Sequence, residues 1–195
     1  MAKLYFNYSA MNAGKSTALL QASFNYRERG MRTIVYTAAI DDRVAKGVVA
    51  SRIGLKGEAR SFDEAVDLFK DIDGAHRSGR IACIFVDEAQ FLSKSHVLQL
   101  ASIVDDLRIP VLCYGLRTDF RGDLFEGSRW LLALADEINE LKTICACGAK
   151  ATMNLRIDKD GRAVREGESI EIGGDDRYVA LCRRHFFERL NASRL

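Results

Sequence analysis

A glycine, a lysine and a hydroxyl residue stand together near the start of the chain, in the stretch SAMNAGKST at residues 9–17. Backbone N–H groups that converge at the start of a helix bind phosphate oxygens, and a lysine there reaches the terminal phosphates of a nucleotide. Gly14, Lys15 and Ser16 supply these parts, with the Ser16 hydroxyl placed to bind Mg²⁺. Ser9 replaces the first glycine of the usual pattern, so we expect it to tolerate a turn conformation.

Two carboxylates, Asp87 and Glu88, follow the apolar run IACIFV. Because ligands bind at the carboxyl ends of strands in open α/β sheets, Asp87 is expected to hold Mg²⁺ opposite Ser16. Glu88 could orient water in an ATPase or accept a proton from a substrate hydroxyl in a kinase, and the motif alone leaves both open. The first motif could be only a helix that begins with Gly-Lys-Ser, and the second could be only a solvated strand end. Their occurrence together makes both of these alternatives less favoured. The predicted ATP contacts are Ser9, Ala10, Met11, Asn12, Ala13, Gly14, Lys15, Ser16, Asp87, Glu88, Ala89 and Gln90.

Four metal-ligating side chains form two close pairs in the last third of the chain: Cys145, Cys147, Cys182 and His185. Three thiolates and one imidazole suit tetrahedral Zn²⁺, and a complete set of protein ligands predicts a structural ion. The alternative is that Cys182 is a buried apolar cysteine and His185 a surface histidine. The segment between the pairs contains two glycines at 173–174, and it predicts either a substrate lid or a plain zinc ribbon. Cys83 and Cys113 lie in apolar strands and are expected in the core.

The elements that must position these residues follow from the apolar pattern. Strands are predicted at 3–8, 31–38, 80–90 and 109–115, and helices at 14–29, 61–72 and 93–107. Ser61 and Glu64 form a capping-box signature for the second helix, and residues 40–60 are expected to be an irregular surface segment. Apolar strands that alternate with helices predict a parallel sheet covered on both faces. We expect short strands in MNLRID and ESIEIGG, a hairpin-like turn at DKDG and a helix or tail at 186–195.

The bulk composition fits a soluble α/β protein of 195 residues. A formal net charge of +2 predicts neither nucleic acid nor an anionic membrane as a partner. Five cysteines without an export signal predict a cytoplasmic location. A helicase would need a second motor lobe, and a GTPase would be expected to carry an N-K-x-D motif, which is missing from the sequence.

Five motifs together resemble those of the type II thymidine kinases, the zinc-containing deoxynucleoside kinases, and especially their bacterial branch. In order they are SAMNAGKST, VDEAQFL, PVLCYGLRTDFRGDLF, LKTICACGAKA and EIGGDDRYVALCRRH. The resemblance covers nearly the whole chain. It implies a RecA-like P-loop α/β core with a parallel sheet at 1–144, and a small zinc-binding, loop-rich lasso domain with a tail at 145–195. It also implies transfer of the ATP γ-phosphate to the 5′-hydroxyl of thymidine, with Glu88 as general base.

The resemblance further implies a set of substrate contacts. They are Met11, Arg43, Phe91, Leu116, Phe120, Phe125, Ile172, Gly173 and Tyr178. The zinc-tied loop is expected to close over thymine and to read its edge mainly through main-chain groups. Family members are usually homotetramers inhibited by dTTP, and the same is expected here.

Two features depart from many family members. Ser9 replaces a glycine, and one zinc pair is C-x-C while the other is C-x-x-H. The rival hypothesis from another class is a P-loop ATPase module whose zinc ribbon binds nucleic acid, which would require a basic face interleaved with aromatic residues.

Overall fold

The computed structural model describes residues 1–40, 47–167 and 177–192. Its first half contains β1 (Leu4–Ser9), α1 (Lys15–Glu28), β2 (Thr33–Ala38), β3 (Val48–Ala50), β4 (Lys56–Glu58), β5 (Arg60–Phe62), α2 (Leu68–Ser78) and β6 (Cys83–Val86). A short 3₁₀ helix, Ala89–Phe91, follows β6. The second half contains α3 (Lys94–Asp106), β7 (Val111–Leu116), α4 (Glu126–Leu134), β8 (Glu137–Glu140), β9 (Thr143–Ile144), β10 (Lys150–Ala151), β11 (Met153–Arg156), β12 (Tyr178–Leu181) and α5 (Arg183–Ala192).

A parallel sheet of six strands, in the order β5-β2-β6-β7-β1-β8, forms the centre of the molecule. One face packs against α2, α3 and α4 through a cluster that includes Phe6, Ile72 and Leu100. The other face packs against α1 and β3 through Leu19 and Val49. The predicted parallel sheet with helices on both faces is therefore confirmed. Cys83 and Cys113 are fully buried in it, as expected.

The second helix begins later than the sequence predicts. Ser61 lies in β5, which pairs with β2, and α2 begins only after Asp67. The Asp67 carboxylate accepts a hydrogen bond from the backbone N–H of Lys70 at 2.9 Å. The capping box at Ser61 and Glu64 is wrong, because pairing with a distant strand overrides the local capping pattern.

Removal of this cap gives a direct test. We expect Asp67→Ala to lower the free energy of unfolding by about 1 kcal/mol, because it leaves a first-turn N–H of α2 without its partner. We expect the control Ser61→Ala to change it by less than about 0.5 kcal/mol. Urea unfolding of both variants measures the difference, and equal effects would contradict the assignment of Asp67 as the cap.

Other differences from the sequence prediction lie in short elements. The segment 40–60 is not irregular throughout, because β3 and β4 form an antiparallel hairpin within it. Strands of three residues are too short to produce a recognisable alternation. The strand at 80–90 is shorter than predicted, and α4 and β8 were missed. The last helix starts at Arg183 rather than 186.

The chain after β8 forms an appendage with its own apolar cluster. Two antiparallel pairs, β9–β10 and β11–β12, pack with α5 around Met153, Leu155 and Phe186. The DKDG turn is a hairpin, in which Asp158 N–H donates to Arg162 O at 2.9 Å. The predicted strand in ESIEIGG, residues 168–174, lies outside the described residues. Because β9 pairs within the appendage, we propose that it begins near the predicted boundary after residue 144. No helix in the described part of the chain is long and apolar enough to cross a membrane.

Candidate active site and metal centre

The predicted phosphate loop lies between β1 and α1, as its sequence context requires. Gly14 caps α1 in a left-handed conformation with φ of 77°, and no side chain occupies the cap. Asn12 is also left-handed, with φ of 65°. Ser9 is the last residue of β1, outside the left-handed region, so the expectation that it must tolerate a turn conformation is wrong. The uncapped helix start suits an anion.

Ser9 instead takes part in holding the lysine. The Ser9 hydroxyl donates to Ala10 O at 2.7 Å and accepts from Lys15 Nζ at 3.2 Å. Lys15 Nζ also donates to Ala10 O at 3.3 Å. The ammonium is buried at the base of the loop, where a phosphate group would be a strong competing acceptor.

Asp87 lies opposite the loop, one residue beyond the end of β6. The Ser16 hydroxyl donates to Asp87 Oδ2 at 2.9 Å. Asp87 is 3% exposed, and its Oδ1 has no hydrogen-bond partner among the described residues. Burial, and secondarily the charge of Glu88, raise the pKa of Asp87, although the Ser16 hydrogen bond lowers it. A buried, unpaired carboxylate oxygen beside a serine hydroxyl suits a hard divalent cation.

Glu88 occupies a strained position that is fixed by Gln90. Its φ of 51° is left-handed, and the 3₁₀ helix starts directly after it. Gln90 Nε2 donates to Glu88 Oε2 at 2.5 Å, while Gln90 Oε1 accepts from Leu116 N–H at 3.0 Å. The Gln90 side chain therefore links the Glu88 carboxylate to the end of β7.

The 3₁₀ helix packs against α4, a helix that the sequence does not predict. A Cβ at Gly127 would lie 2.4 Å from Ala89 O and 2.8 Å from Leu92 O. The backbones of α4 and the 3₁₀ helix approach so closely that only glycine fits. A glycine within an otherwise helical segment is the one sequence feature that indicates such a close contact.

This close approach predicts a functional effect. We expect Gly127→Ala to displace the 3₁₀ helix and the adjoining Glu88, lowering the free energy of unfolding by about 2 kcal/mol and reducing any activity of the folded protein that depends on Glu88. The control Gly74→Ala, in α2 with no neighbour within 4 Å of the added Cβ, is expected to be neutral or stabilising. Urea unfolding and initial rates measure both, and a Gly127→Ala variant with wild-type stability would refute the packing argument.

A cleft of about 350 Å³ brings most of the predicted ATP contacts together. Its walls are Met11, Asn12, Ala13, Gly14, Lys15, Ser16, Thr17, Val49, Ala50, Ser51, Arg52, Ile53, Asp87, Glu88 and Leu116. Ser9, Ala10, Ala89 and Gln90 are buried and do not line this cleft. The hairpin residues 49–53 were not predicted, because nothing in their local pattern marks them as a wall.

Of the predicted substrate contacts, Met11 and Leu116 line the cleft. Phe91 and Phe125 make an edge-to-face contact with ring centres 5.9 Å apart. Phe120 is fully buried, Leu116 ends β7, and Tyr178 begins β12. Arg43, Ile172 and Gly173 lie outside the described residues.

The four predicted zinc ligands form one cluster in the appendage, with all their ligand atoms within 4.8 Å of one another. Cys145 Sγ lies 3.3 Å from His185 Nδ1, and Cys147 Sγ lies 3.9 Å from Cys182 Sγ. The backbone N–H groups of Cys147 and Cys182, followed by His185, lower the pKa of Cys145. Three sulfur atoms and one imidazole nitrogen this close together could hold a metal, and these ligand types are common around zinc.

The fold and site define an α/β protein with a phosphate loop and an appendage whose cysteine and histidine cluster could hold a metal. The sequence model of the family described as "Thymidine kinase" matches residues 2–186, and the chain belongs to this family. A protein of Agrobacterium fabrum named "Thymidine kinase" is 62% identical over 99% of this chain and 100% of its own length. One of Salmonella typhimurium with the same name is 59% identical, over 100% of this chain and 95% of its own length. A crystal structure of Bacteroides Pif1 bound to ssDNA is 11% identical to this chain, with a TM-score of 0.36, over 72% of this chain and 38% of that one.

Proposed function

We propose that this protein transfers the γ-phosphate of ATP to the 5′-hydroxyl of thymidine, giving dTMP and ADP. One observation carries the proposal beyond family membership. Lys15, Ser16, Asp87 and Glu88 all line one cleft, although they come from two distant parts of the chain. This arrangement supports phosphate binding and proton acceptance at the same place.

The phosphate loop would bind the donor. Backbone N–H groups at the start of α1 would bind phosphate oxygens, and Lys15 would exchange its contacts with Ser9 and Ala10 O for phosphate. Ser16 and Asp87 would hold Mg²⁺, which supplies charge neutralisation to the phosphates when bound. The unpaired Asp87 Oδ1 supports this assignment.

Glu88 would accept the proton of the thymidine 5′-hydroxyl. The 5′-oxygen forms a bond to the γ-phosphorus as the bond to the bridging oxygen of ADP breaks, and the hydroxyl proton passes to the Glu88 carboxylate. The hydrogen bond from Gln90 would keep the second carboxylate oxygen turned away from the substrate. Glu88 would therefore act as a general base, with its orientation set by Gln90.

The thymine base would lie among the predicted apolar contacts Met11, Phe91, Leu116, Phe120 and Phe125. An edge-to-face pair such as Phe91 and Phe125 offers a flat apolar wall to a ring that carries a methyl group. Tyr178 and the zinc-tied segment with Ile172 and Gly173 would close over the base, and Arg43 would lie near the transferred phosphate. In this proposal zinc would stabilise the fold of the appendage and would not contact the substrates.

Regulation and assembly extend the same proposal. By family resemblance the chain would form a homotetramer in the cytoplasm, and dTTP would inhibit it from the substrate site. Sedimentation and inhibition kinetics would test both.

Thymidine-dependent ADP release distinguishes this function from the nucleic-acid-binding rival. We expect thymidine to stimulate ADP release, single-stranded DNA to have no effect, and the rate to change little with ionic strength. Stimulation by DNA that falls steeply with added salt would instead favour the ATPase module.

A further inference from the structure

The strand β11 belongs to the appendage and contacts the phosphate loop of the predicted active site. Its side chains alternate, as in any strand. Met153 and Leu155 join the apolar cluster of the appendage, while Asn154 contacts Met11 and Arg156 contacts Phe120. All four are buried. The buried Asn154 needs a hydrogen-bond partner, because burial of a polar side chain without one costs free energy of folding.

Asn154 contacts the phosphate loop directly. Its Oδ1 accepts a hydrogen bond from Met11 N–H at 2.7 Å, across 143 positions of sequence. Met11 immediately precedes Asn12, whose left-handed backbone must be held by its surroundings. The Asn154 side chain is 3% exposed, so water competes little for this bond.

A second contact from the same face of β11 reaches the segment between β7 and α4. The Arg156 guanidinium carbon lies 4.1 Å from the ring centre of Phe120, and its Nη2 donates to Glu166 O at 2.9 Å. The strand also pairs with β12, which leads directly into Cys182, a predicted metal ligand. The appendage therefore contacts two residues predicted to bind substrate, Met11 and Phe120.

We infer that Asn154 is a positioning residue, which fixes the entrance of the phosphate loop through the Met11 amide and so couples the metal-bound appendage to phosphate transfer. This inference rests on the proposed function. Asn154 need not touch ATP or thymidine. Its effect comes from the orientation of the peptide before Asn12, on which the conformation of the remaining loop depends.

The test replaces the acceptor while keeping the size of the side chain. We expect Asn154→Leu to lower kcat/KM for both thymidine and Mg-ATP by about three- to tenfold, the effect of one lost hydrogen bond. Zinc content should be unchanged, and hydrogen exchange of the Met11 amide should become faster. Asn139→Leu is the matched control, because Asn139 donates to Asn7 on β1 outside the loop and its loss should leave both measurements unchanged.

A conservative variant separates positioning from plain stability. Asn154→Asp keeps an acceptor of the same shape, so Met11 protection and KM for thymidine should remain near wild type, while its added charge raises KM for Mg-ATP. Unchanged kinetic constants and Met11 exchange in Asn154→Leu would overturn the inference, even if its melting temperature fell. If the wild-type protein does not phosphorylate thymidine, the proposed function fails; Met11 exchange and Mg-ATP affinity in the same variants then decide the inference.

Discussion

Glu88→Gln is expected to reduce turnover by about 10²- to 10⁴-fold, the range that a general base contributes. Glutamine keeps the size of the side chain but cannot accept the proton of a substrate hydroxyl. Mg-ATP affinity should remain within a few-fold of wild type, because Lys15, Ser16 and Asp87 are unchanged. Initial rates at saturating substrates, together with calorimetric titration of Mg-ATP, measure both quantities.

A matched control for this variant lies on the surface. Glu137 forms an exposed ion pair with Lys3, so Glu137→Gln removes the same charge at a distance from the cleft and should not affect turnover. Near-wild-type turnover in Glu88→Gln would mean that another group accepts the proton. Loss of Mg-ATP binding in that variant would instead mean that Glu88 binds ATP and does not act as the general base.

Removal of the metal is the second prediction with a large effect. Stripping zinc should expose the appendage cluster around Leu155 and Phe186 first, because these few apolar residues form a small core next to the four ligands. The six-stranded sheet should keep its protection. Phosphate transfer to thymidine should be lost, since β11 would no longer hold its contacts with the cleft.

Metal analysis and hydrogen exchange test this prediction. Freshly purified protein should contain one zinc per chain, and a chelator should increase exchange in residues 143–167 and 177–192 before the sheet, with recovery when zinc is returned. Cys145→Ser should reproduce the effect of the chelator. Protein that is active as purified but contains no zinc would rule out the structural metal.

The chemistry-bearing residues could be predicted because they depend on short, fixed spacings. Gly14, Lys15 and Ser16 need only a preceding strand and a following helix, and the structure supplies both. The ligands Cys145 and Cys147 are likewise neighbours in sequence, and the structure brings them together with the second pair. The roles assigned to these residues stay predictions until the variants are measured.

The remaining features depend on contacts between distant segments. Ser61 and Asp67 are both suitable helix caps, and only the pairing of β5 with β2 decides between them. The hairpin β3–β4 lines the cleft because Gly57 packs directly against Leu20 of α1. The local hydrophobic pattern cannot indicate a contact between segments this far apart in sequence. The hydrogen bond between Asn154 and Met11 is the extreme case, since nothing near either residue in sequence indicates the other.

The central claim is that the cleft of this thymidine kinase family member phosphorylates a pyrimidine deoxynucleoside. Phosphate transfer from Mg-ATP to thymidine, deoxyuridine, deoxycytidine and deoxyadenosine, measured side by side, tests it most directly. We expect equal amounts of ADP and nucleoside monophosphate, with transfer confined to thymidine and deoxyuridine. Hydrolysis of ATP without phosphorylation of any nucleoside would contradict the account.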